Sequence, residues 1–171
     1  HYLVEVGKGA KAIRDPIDFA LFSIYFPTIA SGPIKRLQDF SPQVETLSEL
    51  RLDKERFHRG VFRIVSGLFK KLILAEWCMN HLQRIEPWLH DSGLGRSWLW
   101  ALMGLQTLRI YFDFAGYSDV AIGVSLCFGI RVPENFNWPY LARNLSDFWT
   151  RWHISLSSWI RDYLYIPLGG G

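Results

Sequence analysis

Charged residues stand inside otherwise apolar and aromatic stretches of this chain, and this mixture constrains its fold more than any other feature. The clearest case runs from Arg143 to Ser157, where His153 and charged side chains stand among tryptophan, phenylalanine and leucine. Charged and titratable groups are costly in apolar surroundings unless they are paired. The fold must therefore bring partners to these groups or place them at an interface with water.

Composition places the chain between soluble and membrane proteins. Of its 171 residues, 49% are hydrophobic and 16% aromatic, and the length is sufficient for one domain with its own core. The net charge is +3, but the basic residues are scattered through apolar stretches. Because they form no tract that could follow a phosphate backbone, nucleic acid is not an expected partner.

Several kinds of site are not supported by the residue spacing. Cys78 and Cys127 are far apart and predict two buried, inert thiols rather than a disulfide framework. No second histidine or carboxylate stands at ligand spacing from His153, so we predict no metal site. Ser118 and Ser157 lack the GxSxG pattern of a serine hydrolase.

The hydrophobic pattern predicts an all-α chain with breaks. Apolar residues recur at helical spacing over Gly60–Leu82, whereas the uncharged stretch Phe19–Ile34 is interrupted by prolines and a glycine. We expect the latter to be a kinked or re-entrant segment, or a buried element of a soluble core. Ser41–Arg59 and His81–Gly95 predict polar connections, the first with a short helix around Leu47–Phe57. No charge-free apolar run reaches the roughly 18 residues that identify a transmembrane helix by themselves.

The same pattern predicts one continuous helix at the end of the chain. Asn144 is a suitable N-cap, and Asp147 would lie in the first turn, where the helix dipole favours negative charge. Apolar residues recur every three or four positions from Leu145 to Tyr163, which predicts an apolar stripe about 100° wide. His153 would lie at the edge of this stripe.

His153 is the strongest candidate for a catalytic residue. The pKa of a histidine beside aromatic rings can be moved across neutrality, which suits a general acid or base, but a histidine that only packs fits the same spacing. Asp113 and Asp119 would point in different directions from one helix and so form no acid–base dyad. Inside a membrane either carboxylate would be a functional candidate, whereas in a soluble fold each would be a cap or an ion-pair partner of Arg109.

Several long motifs in the same order resemble the membrane-bound O-acyltransferase (MBOAT) family, and most of all its alginate-acetylating subgroup. The resemblance covers nearly all of the chain beyond about Asp18. The segments that carry it are Tyr25–Ile34, Gly67–Lys71, Tyr111–Asp119, Pro133–Tyr140, Phe148–Ser157 and Trp159–Gly170.

The resemblance implies a multi-pass protein of the bacterial inner membrane, with helices around a tunnel and with re-entrant and amphipathic segments. It implies transfer of an acyl group, acetyl above all, to hydroxyls of an exported or cell-envelope polysaccharide such as alginate. The donor would be acetyl-CoA, with no bound cofactor. The partners would be the lipid bilayer, the acyl donor, and the polysaccharide or a periplasmic acyl-accepting protein. A non-catalytic scaffold or channel-like subunit of the same fold and a peripheral amphipathic protein are the alternatives.

In this family two histidines are tied to catalysis, and the one in the Arg-Trp-His tract maps onto His153. The other lies in a His-Gly segment some tens of residues downstream, so we expect residues 1–171 to be part of an MBOAT domain without its N-terminal helices and second histidine. The second histidine would be the general base, and His153 would orient or polarise the donor or the acceptor. Further residues expected along the tunnel are Asp113, Tyr117, Asp119, Asn135, Arg151, Trp152, Ser157 and Arg161.

Overall fold

Two long helical segments form the frame of the computed structural model, which describes residues 1–47, 53–85 and 96–170. The described residues contain helices and turns without a strand, which confirms the predicted all-α class. The α-helices are α1 (Tyr2–Gly7), α2 (Pro16–Ile24), α3 (Leu37–Glu45), α4 (Lys54–Phe69), α5 (Glu76–Ile85), α6 (Arg96–Cys127), α7 (Leu145–Trp149) and α8 (Ile154–Ile160). Single turns of π-helix span Lys70–Ala75 and Arg161–Tyr165, and a 3-10 turn spans Pro139–Leu141.

The π-helical turn joins α4 to α5, so one helical segment covers residues 54–85 and includes the predicted helix Gly60–Leu82. Within the described ranges, no helix is both long enough and apolar enough to cross a membrane.

Facing glycines bring α4 and α6 together in antiparallel contact. A Cβ atom added to Gly60 would lie 2.7 Å from the carbonyl oxygen of Gly123, and one added to Gly67 would lie 2.6 Å from that of Gly116. The two glycines of each helix are two turns apart and therefore share a face. Because real Cβ atoms do not approach so closely, this contact requires glycine on both helices. Small residues at helix crossings are also the means by which membrane helices pack closely.

An aromatic and aliphatic core ties the N-terminal helices to the end of α6. The Phe40 ring packs edge-on against Tyr25 and Phe22, with ring centroids 5.1 and 5.8 Å apart. Burial of these rings removes apolar surface from water and fixes α2 and α3 against the chain that follows α6. The core residues are Phe22, Tyr25, Leu37, Phe40, Ile122, Ile130 and Val132.

The polar stretch Ser41–Arg59 differs from its prediction as a connection. Its first residues belong to α3, which forms because Leu37 and Phe40 are almost fully buried on one face of an otherwise polar helix. The predicted short helix Leu47–Phe57 overlaps the first turn of α4, while residues 48–52 lie outside the described residues.

The other predicted boundaries have mixed outcomes. The stretch Phe19–Ile34 is broken as predicted, since α2 ends at Ile24 and turns follow. The predicted loop His81–Gly95 is helical as far as Ile85, and its remainder lies outside the described residues.

Both cysteines are free, but they differ in burial. Cys78 is buried as predicted, whereas the prediction is wrong for Cys127, which is only half-buried beside Gly60 in the α4–α6 contact.

Candidate active site around His153

His153 interrupts the predicted C-terminal helix. The first part of that prediction is confirmed, because Asn144 Oδ1 accepts a hydrogen bond from the Asp147 amide at 2.8 Å and α7 begins there. His153, however, has φ 44° and ψ 54°, in the left-handed region, and stands at the N-cap of the separate helix α8. The prediction of one continuous helix is therefore wrong.

Pairing with a distant segment explains this interruption. The Asn137 amide donates to the carbonyl of Arg151 at 2.9 Å, and the Ile154 amide donates to the carbonyl of Asn135 at 3.0 Å. Phe136 and Trp152 thereby form an isolated antiparallel bridge. These hydrogen bonds replace those of a continuing helix, so the backbone groups stay satisfied across the break.

The side chain of Asn135 is fully buried and hydrogen-bonded on both sides. Its Oδ1 accepts from the hydroxyl of Ser155 at 2.6 Å, and its Nδ2 donates to the hydroxyl of Ser118 at 3.2 Å. Ser155 Oγ in turn accepts from the Ile34 amide at 2.9 Å. This chain of hydrogen bonds connects α6, the segment after it, the start of α8 and the segment before α3.

Aromatic rings surround the imidazole of His153. Phe114 meets it edge-on, with ring centroids 4.8 Å apart, and Phe136 links Phe114 to Trp152. The side chain is half-buried, and its Nδ1 is buried without a hydrogen-bond partner among the described residues. Burial lowers the pKa of His153 below its ordinary value, because desolvation disfavours the charged form. The imidazole is therefore neutral at neutral pH and has an unused ring nitrogen.

An ion network borders the same cavity as Asn135. Asp119 is bound by Arg63 Nε at 2.7 Å and by Lys70 Nζ at 2.5 Å, and its side chain is only 9% exposed. The two terminal nitrogens of Arg63 donate to the two carboxylate oxygens of Glu134 at 2.8 and 2.5 Å. These groups border a cavity of about 250 Å³, which Asn135 and the aromatic ring of Phe136 also line.

Asp113 points away from Asp119, as the helical spacing predicts. It forms an ion pair with Lys71 and borders a second cavity of about 350 Å³ together with Phe114 and Tyr117. The expected role of Arg109 as the partner of these carboxylates is wrong, since its guanidinium contacts Gln106 at 3.5 Å instead.

Comparison with known proteins identifies the family. The sequence profile described as "MBOAT, membrane-bound O-acyltransferase family" matches residues 6–171. The chain belongs to the MBOAT family.

Curated relatives of the chain are named for action on several kinds of polymer. The chain is 43% identical over 99% of its length to the probable alginate O-acetylase AlgI of Azotobacter vinelandii, of which it covers 33%. It is 39% identical over 90% of its length to the peptidoglycan O-acetyltransferase of Helicobacter pylori, of which it covers 29%. It is 37% identical over 85% of its length to the teichoic acid D-alanyltransferase of Bacillus subtilis, of which it covers 36%. The chain thus spans about a third of the length of these relatives.

The eight residues predicted along a tunnel lie in several separate places in this MBOAT chain. Trp152 packs in the aromatic cluster, and Arg151 forms an ion pair with Asp147 at 2.7 Å. Asp119 and Asn135 line the first cavity, Asp113 and Tyr117 the second, and Ser157 and Arg161 a third of about 550 Å³. His153 itself lines none of these three cavities.

Sequence reasoning missed the roles of two serines and two basic residues. Ser118 and Ser155 hold Asn135, and Arg63 and Lys70 neutralise Asp119. In the sequence, each of these residues is marked only as a polar residue within an apolar stretch. Such a position indicates that a partner is needed but does not identify it. In the part of the chain described here, no three histidine, cysteine or carboxylate side chains are arranged to hold a metal ion.

Proposed function

We propose that the protein containing this chain is a membrane-bound O-acyltransferase that acylates hydroxyls of an exported or cell-envelope polysaccharide. The observation that carries the proposal is His153, a neutral, half-buried imidazole fixed in a left-handed turn of an MBOAT chain. The relatives named above support the substrate class, because each is named for the transfer of an acetyl or alanyl group to an envelope polymer.

The chemistry needs a base and a group that orients the reactants. The acceptor hydroxyl oxygen attacks the acyl carbon, the carbon–sulfur bond of the donor breaks, and the hydroxyl proton passes to a base and then to the thiolate. We propose that a second histidine, contributed beyond Gly171, is the base, so that residues 1–171 form part of the catalytic domain. His153 then orients or polarises the donor or the acceptor through its ring N–H.

The donor in this proposal is acetyl-CoA, and the acceptor is alginate or a similar glycan. The AlgI-like relatives support an acetyl group, since the chain matches them over 99% of its own length. An acyl-accepting protein on the outer side of the membrane would complete the transfer route, with residues of the three cavities along it.

A multi-pass location in the bacterial inner membrane is supported by the orientation of side chains on α4 and α5. Arg63 of α4 and Lys70 and Lys71 of the π-helical turn pair with carboxylates of α6, while many apolar side chains of the same segment are exposed. Exposed apolar side chains together with paired charges suit contact with lipid. The exposed apolar side chains of this segment are Val61, Phe62, Val65, Leu68, Phe69, Leu72, Ile73 and Trp77.

Substitution of His153 in the full-length protein tests the proposed activity. His153→Ala should abolish acetylation of the exported polymer, measured as its acetyl content. His58→Ala, at an exposed position on α4, should leave the acetyl content unchanged. Normal acetylation by His153→Ala at normal protein level would refute the proposal. Resistance of the protein to alkaline extraction, with release by detergent, distinguishes a membrane-embedded enzyme from a peripheral one.

A further inference from the structure

The helix that follows His153 is capped from another segment. His153 occupies the N-cap of α8, but its side chain makes no capping hydrogen bond. The first two amides of α8 instead donate to Asn135: Ile154 N to the backbone carbonyl at 3.0 Å and Ser155 N to Oδ1 at 3.4 Å. The first amides of a helix need hydrogen-bond acceptors. Asn135 supplies the acceptors that a serine or aspartate at the N-cap would normally supply.

We propose that Asn135 is a positioning residue that holds the His153 imidazole in place for acyl transfer. The inference rests on the proposed function of His153. Because the capping acceptors come from Asn135, the N-cap position is free to carry an imidazole whose ring nitrogens take no part in capping. A non-glycine residue in the left-handed region is strained, so the neighbouring hydrogen bonds must maintain it.

The segment that contains Asn135 is itself held against helices α4 and α6. Its carboxamide is 0% exposed and donates to Ser118 of α6, while the adjacent Glu134 is bound by Arg63 of α4. Consecutive residues of this segment therefore contact both long helices. Phe114, which meets the imidazole, also belongs to α6. The position of His153 relative to α6 is thus set through Asn135 on one side and through Phe114 on the other.

The test measures transfer of radiolabelled acetyl groups from acetyl-CoA to the polymer in membrane vesicles containing the full-length protein. Rates are normalised to the amount of folded protein recovered in detergent. Asn135→Ala keeps the backbone carbonyl but removes the carboxamide, and it should lower kcat by about tenfold or more, because small misplacements of a catalytic group have effects of this size. The KM for acetyl-CoA should change by less than about twofold.

A double substitution separates positioning from a general structural role. His153→Gly deletes the imidazole without opposing the left-handed backbone. Adding Asn135→Ala to this variant should not lower its residual rate further, since the positioned group is already gone. A further loss equal to that caused by Asn135→Ala alone would overturn the inference.

Matched serine variants keep the test decisive if Asn135→Ala does not accumulate. Ser155→Ala removes the hydroxyl that binds Asn135 Oδ1 and should lower kcat in the same manner. Ser125→Ala removes a fully buried hydroxyl of α6 that donates to the Ala121 carbonyl, and it should leave the rate within about twofold of the parent.

The outcomes also distinguish this inference from the proposed function. A parental rate in His153→Gly would refute both. A strongly lowered rate in His153→Gly together with parental rates in the Asn135 and Ser155 variants would overturn only the positioning role.

Discussion

At the scale of single residues, the environment of His153 determines its charge. The aromatic rings around it exclude water, which lowers the pKa of the imidazole, and no carboxylate hydrogen-bonds to its Nδ1 among the described residues. A neutral imidazole can donate a hydrogen bond through its ring N–H at neutral pH, which is the role proposed for it in acyl transfer. Its left-handed backbone limits which other residues the position can accommodate without strain.

The lowered pKa of His153 predicts that acid destabilises the protein through this residue. The folded state holds the imidazole neutral at a pH where the unfolded chain binds a proton, so the stabilisation is lost as pH falls below the ordinary histidine value of about 6.5. The thermal midpoint of the full-length parent should fall as the pH is lowered from about 7 to about 5. His153→Gly should show a smaller fall over the same interval. An equal pH dependence in the two proteins would contradict the burial of His153.

At the scale of helices and segments, hydrophobic spacing predicted much of the structure because it reports which face of a helix is buried. It correctly indicated the long helix over Gly60–Leu82, while the residue type of Asn144 indicated the capped start of α7. It could not reveal the turn at His153, because that turn depends on pairing with residues 135–137. Spacing within a segment contains no information about such long-range hydrogen bonds.

The close contact of α4 and α6 predicts that Gly67→Ala destabilises the protein. The new methyl group would lie 2.6 Å from the backbone oxygen of Gly116, and overpacking of this kind costs about 1–3 kcal/mol. Gly104→Ala is the matched control on α6, since no atom lies within 4 Å of its added Cβ and alanine favours the helix by up to about 1 kcal/mol. Thermal unfolding in detergent should show a lower midpoint for Gly67→Ala and an equal or higher one for Gly104→Ala. A reversed order would contradict the described packing.

At the scale of the whole molecule, charged groups placed within apolar sequence are paired across helices. Arg63 and Lys70 neutralise Asp119, and Arg63 also binds Glu134, so α4, α6 and the segment after α6 meet at one network. The sequence predicted that such groups need partners, and the motifs identified the MBOAT family. The identity of each partner required the three-dimensional structure, because the paired residues are far apart along the chain.

The ion network predicts that Asp119→Asn destabilises the fold. The amide cannot neutralise Arg63 and Lys70, and loss of one partner of a largely buried ion pair costs about 3–5 kcal/mol, reduced here because both cations are partly exposed. Lys11→Ala removes one partner of the exposed pair with Glu45 and should cost no more than about 1 kcal/mol. Equal thermal midpoints of the two variants in detergent would contradict the importance of the network.

The most direct test of the account is chemical rescue of His153→Gly in the full-length protein. Glycine preserves the left-handed turn and leaves a space where the imidazole stood, so added imidazole can occupy it. We predict that acetyl transfer from acetyl-CoA to the polymer falls to a small residual rate in this variant at normal protein level and is partly restored by imidazole. Transfer at the parental rate without imidazole would contradict the central claim that the His153 side chain takes part in the reaction.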